Sequence, residues 1–218
     1  MPVNFLKIKE IIWDWNGTLI NDTSLCVDIL NKILRLQNQP SISIEYYRNN
    51  FSFPVSAFYK SISLPSHGKK FDEVSRNFIS EYRLKWKGCT LQMGVLEVLN
   101  LIQRYGLRQS ILCAGNQSDV ELFVDHFNLG SFFYQVLGTD NIKAEGKIEL
   151  AKRFITESDL PPEEILLVGD TIHDFQVANE IGCSSLLFCQ GHNSKNQLSE
   201  FPVQIINDLR EVAQYLQH

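Results

Sequence analysis

From residue 90 onward the chain alternates short apolar runs with longer amphipathic stretches. That is the pattern of a parallel sheet whose strands are joined by crossover helices. Strands are expected at Ile8–Trp13, Ser110–Cys113, Phe133–Leu137, Ile165–Val168, Ser185–Phe188 and Val203–Ile206. Helices are expected at Val95–Tyr105, closed by Gly106, and at Asp119–Phe127, with Ser118 as its N-cap. A third is expected at Lys147–Thr156, with Ile148, Ala151 and Ile155 on one face, and a fourth after Asp170, stopping at Gly182.

The stretch 21–88 differs, because it carries helical periodicity without strand-like runs. Leu25, Ile29, Ile33 and Leu36 form one stripe, and Phe71, Val74, Phe78 and Tyr82 form another. Pro40, Pro54 and Pro65 divide this stretch into four expected helices. The reading is an α/β fold: a doubly wound parallel-sheet core from 1–20 and 89–218, with 21–88 inserted as an α-helical cap. No internal repeat or low-complexity tract is visible.

A chain of 218 residues with 44% hydrophobic and 21% charged content has room for one full core and a small second lobe. A net charge of -5 and a pI near 5.5 argue against nucleic acid or an anionic membrane as the main partner, so positive charge for an anionic substrate must be local. No apolar run approaches the roughly 18 residues of a membrane span, and the N-terminus lacks a secretory pattern. A cytoplasmic protein with no membrane association is expected. The cysteines Cys26, Cys89, Cys113, Cys183 and Cys189 are odd in number and widely spaced, which suits reduced thiols better than disulfides or zinc.

Candidate chemistry begins at Ile11-Ile12-Trp13-Asp14-Trp15-Asn16-Gly17-Thr18, an apolar run ending in a carboxylate and then a sharp Asn-Gly turn. This puts Asp14 at the C-terminal edge of the sheet, where open α/β sheets bind ligands. Taken alone, the plainer reading is a polar residue ending a strand before a turn. A second apolar run ends in Val168-Gly169-Asp170, with Asp174 four residues on. With Asp14, these carboxylates would form an all-oxygen cluster suited to Mg²⁺, the alternative being that the aspartates cap the helix. Lys147, at the start of the preceding helix, could hold both an anion and Asp14, although Lys143 and Lys152 are comparable candidates on spacing alone.

The order and spacing of these motifs resemble the haloacid dehalogenase superfamily, whose phosphatases carry an Asp-x-Asp-Gly-Thr loop, a strand ending in Ser or Thr, a Lys, and a Gly-Asp-x-x-x-Asp loop. The resemblance covers nearly the whole chain. It implies a Rossmann-like core of the helical-cap, phosphoglycolate phosphatase-like subgroup, acting on a small phosphorylated molecule with Mg²⁺. Asp14 would be the nucleophile that forms an aspartyl-phosphate, and Asn16 would give a backbone carbonyl to the metal. Asp170, with Asp174 beside it, would bind Mg²⁺, and Lys147 would be the cation.

The chain departs from that pattern twice. Asn16 stands where the family has an Asp that protonates the leaving group and later activates water; an amide does neither. Losing such help costs about 10² to 10⁴ in rate. An acyl phosphate or other activated substrate would escape the loss, or His173, His192 or His67 could supply the proton. Cys113 stands where the family has Ser or Thr, so phosphate would rest on the backbone amides of Ala114, Gly115 and Asn116 with weaker help from the thiol. A weakly active ligand-binding protein and a 2-haloacid dehalogenase are the alternative functions, the second disfavoured by the intact acidic loop. Ser66-His67-Gly68-Lys69-Lys70 is a candidate substrate selector, a solvated turn being the plainer reading.

Overall fold

β1 (Glu10–Trp13) is buried at all four positions, because successive side chains of a central strand point into opposite, equally covered faces. In the computed structural model, which describes residues 7–140 and 146–216, β1 pairs in parallel with β4 (Arg108–Asn116) on one side and β6 (Ile165–Gly169) on the other. With β5 (Gln135–Thr139), β7 (Ser184–Phe188) and β8 (Gln204–Ile206) they form a sheet in the order β5-β4-β1-β6-β7-β8, parallel throughout. Ile11, Trp13, Ile111 and Val168 pack on one face with α5 (Val95–Arg104) and α6 (Gln117–His126). Ile12, Leu112 and Leu167 pack on the other with α7 (Ile148–Glu157) and α8 (Ile172–Ile181). The fold is therefore the doubly wound, Rossmann-like α/β architecture that the pattern of apolar runs predicts.

After β1 the chain moves toward β4 and β5, and after β6 it moves the other way toward β7 and β8. Neighbouring strands whose exits diverge leave a crevice at their carboxyl ends. Here the crevice lies between β1 and β6, the two strands that end in Asp14 and Asp170.

Four helices lie between the two halves of the core: α1 (Thr23–Leu36), α2 (Ile44–Asn50), α3 (Val55–Ser61) and α4 (Gly68–Lys85). The chain enters and leaves them through an antiparallel ribbon of β2 (Ile20–Asn21) and β3 (Thr90–Leu91). Strands this short carry no readable alternation, and neither is apparent in the sequence.

Two expectations need correction. Leu36, placed on the buried stripe of α1, is 76% exposed, and Cys26, Ile29, Leu30 and Ile33 form the seam. The last turn of α1 lies beside the turn through Asn38, which has a left-handed φ of 54°. Ser118 is not the N-cap of α6: Asn116 caps it, its side-chain oxygen accepting from the Ser118 amide and hydroxyl. α8, by contrast, ends at Gly182 in the left-handed conformation expected there.

Among the described residues no helix is long and apolar enough to cross a membrane.

Candidate active site

Trp13 stands opposite Val168, and the Asp14 amide donates to the Val168 carbonyl at 2.9 Å. Asp14 and Asp170 therefore leave the sheet side by side. The backbone that follows closes tightly around them. Gly17 has φ +77°, and a β-carbon there would stand 2.3 Å from Asp170 Oδ2. One at Gly191 would stand 2.1 Å from the same oxygen, so both positions require the bare backbone of glycine. Thr18 Oγ1 donates to Asp170 Oδ1 at 2.9 Å, and the His192 amide donates to Oδ2.

Lys147 is the N-cap residue of α7 and is buried. Its Nζ donates to Asp14 Oδ1 and to the Leu112 carbonyl at 2.7 Å, and pairs with Asp174 Oδ1 at 2.8 Å. Asp174 uses its other oxygen to cap α8, accepting from Thr171 Oγ1 at 2.7 Å and the Thr171 amide at 3.0 Å. Asp174 is thus both a helix cap and the anchor of Lys147. Lys152 pairs with Glu149 and Glu180 on the surface, and Lys143 lies outside the described residues.

Oxygens of Asp14, Asp170 and Asp174 all lie within 4.8 Å of one another, and all three residues are buried. Against three carboxylates stands one ammonium, Lys147, leaving an excess negative charge that a divalent cation would balance. Burial pushes the Asp14 and Asp170 carboxyls above the usual range, opposed at Asp14 by Lys147 and at Asp170 by His192. Burial would lower Lys147, but Asp14 and Asp174 hold it well above its ordinary value. An all-oxygen, carboxylate-rich set fits a hard cation such as Mg²⁺.

Replacing Lys147 by Met would strand two buried carboxylates. We expect a loss of about 3 to 5 kcal/mol in stability, read as a shift in urea midpoint. A midpoint within about 0.5 kcal/mol of the unsubstituted chain, the range of ordinary surface changes, would mean that Lys147 does not neutralise the cluster.

Asn16 is held by a second buried network. Its Nδ2 donates to Asp22 Oδ2 at 2.7 Å and contacts Tyr82 Oη at 2.9 Å, and its Oδ1 accepts from Cys113 Sγ at 3.4 Å. Asp22, fully buried, also accepts from Tyr82 Oη at 2.7 Å and the Gly17 amide at 2.9 Å, and faces His192 Nε2 at 3.3 Å. His192 Nδ1 lies 3.0 Å from Tyr47 Oη. Burial would lower His192, yet Asp22, Asp170 and Asp14 push it up to about 9. Burial raises Asp22, but His192, Tyr82 and Asn16 draw it below its usual value. Cys26 stands beside Asp22 and His192 with ligand atoms close enough for a metal. Burial and the neighbouring Asp22 push its thiol well above the usual range.

The thiol of Cys113 is turned onto Asn16 and is not part of the cavity wall, where Ala114, Gly115 and Asn116 stand. The Gly115 amide, expected to face phosphate, donates to Cys113 Sγ at 3.2 Å. β4 shifts register between Leu112 and Asn116, the stretch that carries both groups. His173 Nε2 accepts from the Lys147 amide at 3.0 Å, and its ring lies 4.8 Å from that of Phe53. His67 is exposed at the N-cap of α4, and none of Ser66 to Lys70 lines the cavity.

Asp22 and Tyr47 are absent from the sequence reading, and Tyr82 enters it only as a member of a helical stripe. Asp22 lies in the Asn-Asp-Thr stretch where the helical insertion begins and could have been noticed there, whereas Tyr47 and Tyr82 come from helices whose docking no spacing predicts.

Comparison with known proteins agrees with the fold. Residues 11–188 match the family model described as haloacid dehalogenase-like hydrolase. A phosphoglycolate phosphatase from Pseudomonas savastanoi pv. phaseolicola is 24% identical over 212 residues, 94% of this chain and 78% of that protein. A haloacid dehalogenase-like hydrolase from Streptococcus pneumoniae superposes with a TM-score of 0.82 at 20% identity, over 97% of this chain and 99% of that one. A protein described as a predicted phosphoglycolate phosphatase from Haemophilus somnus gives 0.77 at 20% identity over 97% and 99%.

Proposed function

The chain belongs to the haloacid dehalogenase-like hydrolase family, and from that premise we propose that it is a phosphatase of the phosphoglycolate phosphatase-like subgroup, acting on a small phosphorylated molecule through Asp14. The observation that carries the proposal is the junction of β1 and β6, where Asp14, Asp170, Asp174 and Lys147 meet and where Asp14, Asp174 and Lys147 line one cavity. The names of the relatives support a phosphoryl substrate.

Asp14 is the nucleophile. One carboxylate oxygen attacks phosphorus, the bond from phosphorus to the leaving oxygen breaks, and the leaving group departs with the electron pair. Water then attacks phosphorus, the bond to Asp14 breaks with its electron pair returning to the carboxylate, and both protons of that water end on the released phosphate. Lys147 holds Asp14 in place throughout and carries positive charge toward the phosphoryl oxygens. The cavity amides of Ala114 and Asn116 are the candidate backbone donors to phosphate.

Asp14, Asp170 and the Asn16 carbonyl would hold Mg²⁺, with Asp174 beside them. When bound, the ion supplies neutralising charge for the carboxylates and the phosphoryl oxygens. Asn16 neither gives nor takes a proton, so turnover favours leaving groups that depart as stable anions. The helical insertion serves as the cap that excludes water and selects substrate.

The direct test is phosphate release from acetyl phosphate with Mg²⁺ and with chelator. Release is expected only with the metal; equal rates in both would overturn the metal-dependent reading. Mg²⁺ is also expected to raise the melting temperature by mass action, as any ligand of the native state does. Asp170→Asn is expected to abolish that rise; its persistence would mean that the ion binds elsewhere.

A further inference from the structure

Above Asp14 and Lys147 lies a cavity of about 160 Å³ that runs from the sheet edge into the helical insertion. That is close to the roughly 150 Å³ of an apolar cavity that holds one benzene ring. Its walls are rings: Tyr47 on α2, Phe53 beside it in the connection to α3, Phe58 and Tyr59 on α3, Phe78 on α4, and Phe123 on α6 of the core. Tyr47 stands edge-on to Phe58 with ring centroids 5.4 Å apart, the arrangement aromatic pairs prefer.

The charges are distributed unevenly. Among the described lining residues the basic groups are Lys147, His173 and His192, all belonging to the two polar networks at the sheet edge. Away from that edge the charged lining residue is Asp119, itself paired with Arg83 at 2.8 Å. A second anionic group on the substrate, such as the carboxylate of phosphoglycolate, would lose its water and meet aromatic carbon. A planar ring would fill the space and lose nothing.

We propose that the preferred substrate is a phosphate whose leaving group carries a single aromatic ring, an aryl or aroyl phosphate, rather than a phosphorylated carboxylic acid. This rests on the phosphatase reading above, and it also accounts for Asn16. When the phosphorus–oxygen bond breaks, the electron pair leaves on an aryloxide or arenecarboxylate oxygen, which needs no proton from the protein. Ring and leaving group are then one requirement.

The test compares kcat/KM for benzoyl phosphate and acetyl phosphate with Mg²⁺. Both release a carboxylate of similar basicity, so their ratio reads burial of the ring alone. It is expected to be about 10- to 100-fold in favour of benzoyl phosphate, the fold equivalent of burying one aromatic side chain. In Phe78→Ala, which removes a half-buried ring from the wall, the ratio should fall by about threefold or more.

Binding supplies the second measurement: phenylphosphonate should compete better than methylphosphonate by a similar factor. A benzoyl-to-acetyl ratio near one, together with equal phosphonate affinities, overturns the proposal while leaving the phosphatase intact. Absence of Asp14-dependent release from both substrates overturns the phosphatase reading, and the phosphonate affinities then decide the ring preference on their own.

Discussion

Asp14→Asn is expected to bring Mg²⁺-dependent phosphate release down to background, a loss on the order of 10⁶ by analogy with removal of other nucleophiles. No second group can take its place. Asp170 is fully buried, with one oxygen on Thr18 and the other on the His192 amide. Asp174 is spent on Thr171 and Lys147. The amide has nearly the same shape as the carboxylate and removes one of several crowded negative charges, so the fold should survive. Far-ultraviolet circular dichroism and the urea midpoint check that point. Residual release above about one part in 10³ of the unsubstituted rate, more than binding and positioning alone usually leave, would require a nucleophile other than Asp14.

The second large effect concerns the pair Asn16 and Asp22. Asn16→Asp alone is not expected to restore acid–base help, because it sets a carboxylate against Asp22 Oδ2, which the Asn16 amide now approaches to 2.7 Å. Two buried carboxylates at that distance cannot both ionise. We expect the single variant to lose roughly 3 to 5 kcal/mol of stability and to gain little activity.

Asp22→Asn added to it exchanges the positions of amide and carboxylate and keeps a donor–acceptor pair in the same place. The double variant should recover most of the stability and hydrolyse alkyl phosphates about 10² to 10⁴ faster than the unsubstituted chain. Acyl phosphates, which need no proton on leaving, should gain far less. A single variant as stable and as active as the double one would mean that Asp22 does not set the character of position 16.

The core was readable in the sequence wherever a rule of covalent geometry applied. Buried central strands appear as continuous apolar runs, and a carboxylate directly after such a run must stand at the sheet edge, so Asp14 and Asp170 could be placed without coordinates. Gly182 was readable for the same kind of reason, a left-handed stop after a helical stripe. The β2–β3 ribbon was not, since two residues cannot show a period. Nor was the Asp22 network, because Tyr82 and His192 reach Asp22 from segments far apart in the chain. The role of Cys113 went unread because its partner, the Asn16 side chain, lies 97 residues away past the end of another strand.

The ribbon of β2 and β3 bears on how this protein could change over generations. Both connections to the helical insertion leave the core as hydrogen-bonded neighbours, Ile20 opposite Leu91 and Asn21 opposite Thr90, with Gln92 tied back to the Gly17 carbonyl at 2.9 Å. Whatever folds between them needs only to begin and end at one shared point. Helices could be lengthened, traded or rebuilt there while the strands bearing Asp14 and Asp170 keep their register. The stretch behaves as a removable head on a fixed handle, and inheritance can retool it without disturbing the grip.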